Sequence, residues 1–88
     1  MTIAELSPGK YGRKSFYGKA KIEFHDNGDM YLRSYNTIVA QITATGQFNR
    51  LWDGYSATTM RHVNAFVNQF YDAKAGGKAW WDNMEVSK

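Results

Sequence analysis

The stretch Gly54–Tyr71, GYSATTMRHVNAFVNQFY, carries one capped amphipathic helix. A chain of 88 residues has to build its core around it. Ser56 is a favoured N-cap, whose hydroxyl accepts a hydrogen bond from a free amide in the first turn. Thr59 stands where a full capping box would carry Glu or Gln, so the box is incomplete. Met60, Val63, Phe66, Val67, Phe70 and Tyr71 then recur at the helical period and form one apolar stripe. Thr58, Arg61, His62, Asn64, Asn68, Gln69 and Asp72 fall mostly on the opposite side. Gly76 and Gly77 close the segment AKAGG, because glycine accepts the backbone conformation that ends a helix. The stripe is expected to be core, packed on a sheet, rather than a partner groove or membrane face.

A chain this short is one domain and buries only about 60% of its unfolded surface, so little apolar area can be spared from the core. Three Trp, six Tyr and five Phe suit a small core, since each aromatic ring buries much area. The chain has no cysteine, which removes disulfide and thiolate chemistry and fits a cytoplasmic setting. No run of apolar residues approaches the roughly 20 of a membrane span, and the N-terminus lacks a signal-peptide pattern. The expectation is a cytoplasmic protein with no membrane partner.

Residues 19 to 52 read as an antiparallel sheet. Ala20, Ile22 and Phe24 alternate with Lys19, Lys21, Glu23 and His25. Asp26-Asn27-Gly28 is a turn signal, after which Met30 and Leu32 alternate with Tyr31 and Arg33. A two-residue Asn27-Gly28 turn would set Phe24 against Tyr31 and mix the faces. A three-residue loop over 26–28 pairs Phe24 with Met30 and Ile22 with Leu32, and puts Gly28 last, at its left-handed position. A short connection over 34–37 follows. Ile38, Ala40 and Ile42 make a third strand, alternating with Val39, Gln41 and Thr43. Thr45-Gly46 turns into a fourth strand over 47–52. The predicted fold is α+β: a four-stranded antiparallel meander packed on one C-terminal amphipathic helix. A short helical turn over 77–84 is pinned by Trp80 or Trp81. Residues 1–17 are read as a basic, aromatic N-terminal arm, and 18–88 as the single domain.

Two elements of the chain are distinctive together: Ser34-Tyr35-Asn36-Thr37, leading into Ile38-Val39-Ala40, and Tyr55-Ser56-Ala57-Thr58-Thr59-Met60-Arg61-His62, preceded by Phe48-Asn49-Arg50-Leu51-Trp52-Asp53-Gly54. With Trp81 near the end, residues 30–84 resemble a family of small proteins from bacteriophages, plasmids and other mobile or gut-bacterial elements. The resemblance implies a fold and a mobile-element setting. It implies no catalytic residue, because no activity is established for the family.

Candidate sites follow from two clusters. Ser56, Thr58, Thr59, Arg61 and His62 crowd the helix start, where free amides and the helix dipole attract anions, so a phosphate, carboxylate or protein partner could be held there. Against this stands a structural role: Ser56 and a threonine cap the helix, and His62 bonds to a neighbouring loop such as 34–37. A Ser56-His62-Asp53 triad can be written, but a capping serine is already engaged and no nucleophile elbow surrounds it. His25 and His62 lack metal-ligand spacing, so no metal and no cofactor are expected. The second cluster is basic. Five cations and no acid lie between Leu6 and Ile22, which leaves −2 for the other residues of a chain with net charge +3. Lys10, Arg13, Lys14, Lys19 and Lys21, with Tyr17, Tyr31 and Arg33, form a candidate nucleic-acid surface: cations neutralise phosphates and aromatics stack on bases.

The sequence thus points to a non-enzymatic binding protein of a phage or mobile element, acting on a host or defence component. Nucleic-acid binding by the basic-aromatic arm and sheet face is the alternative. Monomer and homodimer both stay open, with Tyr31, Val39, Trp80 and Trp81 as the residues a homodimer would share.

Overall fold

A computed structural model describes residues 1–7 and 18–87. The order is β1 (Thr2–Glu5), β2 (Ala20–Phe24), β3 (Met30–Ser34), β4 (Thr37–Ile42), β5 (Phe48–Arg50), α1 (Ala57–Phe70) and α2 (Lys78–Asp82). The strands form one antiparallel sheet in the order of the sequence. The sheet has five strands rather than four. The extra one is β1, in the segment read as an arm, and Leu6 just after it is buried in the core. Its partner β2 follows only after residues 8–17, which lie outside the described residues.

The hairpin between β2 and β3 has the register that the alternation requires. Phe24 faces Met30 and Ile22 faces Leu32. His25 N–H bonds to Asp29 O at 2.9 Å, Gly28 N–H to His25 O at 3.0 Å, and Gly28 takes φ 95°. The β4–β5 hairpin repeats this loop: Thr43 N–H bonds to Gln47 O, Gly46 N–H to Thr43 O, and Gly46 has φ 91°. The two loops touch, since Asp29 Oδ1 accepts the Ala44 N–H at 2.9 Å.

The third strand departs from simple alternation. The register shifts between Leu32 and Arg33, so Leu32 pairs with Ala40 but Arg33 pairs with Ile38. Val39 is the extra residue of this bulge. It is buried, while Ile38, expected on the core face, is half-buried opposite Arg33. A shared surface that includes Val39 or Trp81 is thereby corrected, because both are enclosed in the core. Trp80 stays half-buried.

Helix α1 starts as the sequence predicts, with the Ser56 hydroxyl accepting the Thr59 N–H at 3.0 Å. Met60, Val63, Phe66 and Val67 join Ile22, Leu32, Ala40, Ile42 and Trp81 in one core. Phe70 and Tyr71 do not complete the stripe. They are 40% and 45% exposed, leaning on Phe66 and Phe48 respectively from the helix end.

Candidate functional site

The two distinctive sequence elements meet in the interior. β3 ends at Ser34, and Tyr35-Asn36 turns the chain into β4, with Tyr35 at φ 55° and its N–H bonded to Lys19 O at 2.7 Å. Ser34 therefore points down onto the first turns of α1. Its Oγ lies 2.7 Å from His62 Nδ1 and 3.1 Å from Thr59 Oγ1. Thr59 and His62 are three apart on the helix and so share a face. The Ser34 hydroxyl can donate one hydrogen bond and accept another, so it can serve both neighbours at once. Tyr35 covers the group, its ring 5.9 Å from the His62 ring.

A serine within hydrogen-bond reach of a histidine is the geometry of an activated nucleophile. Here Ser34 is 3% exposed, Thr59 6% and His62 not at all. A reacting carbonyl or phosphoryl group has no approach to an oxygen so enclosed. What the arrangement does is tie the end of β3 to α1 through polar groups that satisfy one another in a dry interior. The five helix-start residues consequently separate. Ser56 caps, Thr59 and His62 turn inward, Thr58 is half-buried and Arg61 is exposed. His62, expected on the polar side, is thereby corrected to the core face. Of the Ser56-His62-Asp53 combination, the His62 Nδ1 lies against Ser34 and the Ser56 hydroxyl accepts the Thr59 N–H.

Of the basic cluster, Lys10, Arg13, Lys14 and Tyr17 lie outside the described residues. Lys19 is exposed, and Lys21 stands opposite Arg33. Arg33 is committed within the protein: its Nη2 and Nε both reach Glu23 Oε2, at 2.6 and 2.9 Å. The Arg33 guanidinium holds the Glu23 carboxyl below the usual glutamate range, against the opposing effect of burial, and the His25 hydrogen bond adds to the lowering. Tyr31 packs on His25 and its hydroxyl accepts from Gln41 Nε2 at 3.0 Å. Gln41 in turn accepts from Asn49 Nδ2 at 2.9 Å. The outer face of the sheet is thus a linked row of polar side chains running across β2 to β5.

Two further constellations were legible only in part. Arg50 is 7% exposed and faces inward. Its guanidinium donates to the carbonyls of Trp52, Trp81 and Met84 at 2.7, 2.8 and 3.1 Å and lies 4.5 Å from the Trp81 ring centre. Trp81 Nε1 donates to Gly54 O at 3.0 Å. This clamp fastens α2 to the sheet and to the loop before α1. The signal was present, since Phe48, Arg50 and Trp52 alternate onto one face. At the other end of α1, Asn68 Nδ2 donates to the Ala75 carbonyl and Asn64 Oδ1 accepts the Gly77 N–H, each at 2.8 Å. Among the described residues, no group of three or more His, Cys, Asp or Glu could hold a metal ion, and no helix is long and apolar enough to cross a membrane.

No curated protein and no solved structure matches the chain. A family of unknown function, DUF8033, matches over residues 4–83, so its pattern takes in the end of β1 and extends through both helices. With nearly its whole length inside that match, the chain belongs to the DUF8033 family.

Proposed function

We propose that the chain is a non-enzymatic binding protein that engages a macromolecule of a host or of its defence systems, in the mobile-element setting its sequence resembles. One observation carries this reading: the hydroxyl and imidazole groups of the distinctive motifs are spent on an internal lock, while aromatic side chains are spent on the surface. Tyr35, Tyr55, Phe70 and Tyr71 are each between 40% and 50% exposed. Aromatics are enriched where proteins meet partners, because they bury much area at low entropic cost.

Nucleic-acid binding is the competing reading. Lys21 opposite Arg33 supports it, and the Glu23 carboxylate on Arg33 weakens it by neutralising a charge a phosphate would need. A pull-down from host lysate, with and without nuclease, separates the two. Recovery of a protein that survives nuclease treatment is the expected result. Recovery abolished by nuclease moves the assignment to nucleic acid. Recovery of nothing, together with turnover of a small substrate by the purified chain, overturns the proposal.

A further inference from the structure

The two edges of the sheet are treated differently. At the β5 edge the C-terminal segment returns: Val86 bridges Arg50 in parallel, and Ser87 N–H bonds to Arg50 O at 2.6 Å. The chain thus covers that edge itself at Arg50. At the β1 edge all four strand residues are exposed, and Ile3 is 53% exposed. Leu6 N–H bonds to Ala20 O, and Leu6 continues the β1–β2 register, so Thr2 and Ala4 also turn their backbone groups toward β2. The N–H and C=O of Ile3 and Glu5 therefore point away from the sheet. Edges left unpaired in this way among the described residues are normally kept very short, covered, or guarded by lysine, proline, a bulge or an inward charge. β1 is short, at four residues, and carries no lysine, proline or bulge. Its one charge, Glu5, already accepts the Gly18 N–H at 2.8 Å, and the sheet's register shift lies between β3 and β4.

We propose that the β1 edge is a docking strand for a second copy of this chain, joined by antiparallel β1–β1 pairing into one continuous sheet. The strand is self-complementary in a way that selects its register. Only odd-numbered residues have outward backbone groups, so the two-fold axis falls at Ile3 or at Ala4. Pairing about Ile3 sets Ile3 against its own copy, one exposed apolar side chain on another. It also holds the two Glu5 positions about 14 Å apart along the strands, whereas pairing about Ala4 brings them to about 7 Å. Charge and apolar burial both favour the axis at Ile3. So short a pairing falls below the roughly 1,200 Å² of tight complexes, so the dimer is weak and shows at protein concentrations approaching about 1 mM. This inference does not depend on the binding reading above.

The test is the mass of the full chain by static light scattering over a dilution series. The expected result is a mass that rises from 10.1 kDa toward twice that value with concentration. Ile3→Pro removes only an outward N–H and should keep the circular dichroism and thermal midpoint of the parent while staying monomeric. Ile3→Lys and Ile3→Glu keep every backbone bond. Each alone should be monomeric, and their mixture should regain association, because position 3 faces itself across the axis. A parent mass fixed at 10.1 kDa throughout overturns the proposal. So does undiminished association of folded Ile3→Pro or of Ile3→Lys alone.

Discussion

At the scale of single residues, the fold depends on polar side chains that face inward. Replacing His62 by Ala removes a fully buried ring and leaves the Ser34 hydroxyl short of a partner. We expect a loss of about 3 kcal/mol or more, read as a lower urea midpoint. Arg61→Ala, one position away and exposed, should change stability by less than about 0.5 kcal/mol. Arg50→Lys should cost about 2 to 3 kcal/mol despite keeping the charge, because an ammonium cannot span carbonyls of Trp52, Trp81 and Met84 as a guanidinium does.

Glu23 gives a pH dependence. Its folded value is lowered, chiefly by Arg33, so it adds stability that is full above the unfolded glutamate value of about 4.5 and is lost as pH falls through the lowered folded value. Thermal midpoints from neutral pH down into that acid window should fall less steeply for Glu23→Gln than for the parent. Parallel curves would contradict the assignment.

These roles were unequally readable. A bond from His62 to the 34–37 segment follows from the helix and strand pattern together. The inward Arg50 is implied by the Phe48-Arg50-Trp52 alternation, yet its carbonyl partners come from α2 and from the loop before α1, which only the folded chain brings near. The Glu23–Arg33 pair is a diagonal neighbour contact and requires the register first.

At the scale of elements, turn chemistry and apolar matching carried most of the sheet. The loop over 26–28 could be chosen by asking which pairing keeps Phe24, Ile22, Met30 and Leu32 on one face. Gly28 is the sharpest test of that loop: it has φ 95°, and an added Cβ would lie 2.9 Å from the Ala44 Cβ of the neighbouring loop. Gly28→Ala should destabilise by at least about 1 kcal/mol in a denaturant titration, whereas Ser56→Ala should cost about 1 kcal/mol through the lost cap. Two things escaped the pattern. The bulge at Val39 changes which residue faces the core by a backbone irregularity that no alternation encodes. β1 is four residues long, and its partner lies beyond residues 8–17, so pairing rather than local sequence makes it a strand.

At the scale of the whole molecule, the chain is a five-stranded sheet with α1 on one face, α2 clamped on by Arg50 and the β5 edge met at Arg50 by its own C-terminal segment. The fold class and the centre of the helix's apolar face, Met60, Val63, Phe66 and Val67, were legible because the period is local. A partner leaves no such mark, since exposed aromatics state that a surface can bind but not what it binds. The most direct test of the central claim, that the motif residues lock the fold while the surface does the work, is a nuclease-treated pull-down with matched variants. Ser34→Ala, if folded, should recover the same partner as the parent, and Tyr55→Ser combined with Phe70→Ser should lose it. Loss of recovery by folded Ser34→Ala with full recovery by the surface variant would contradict the account.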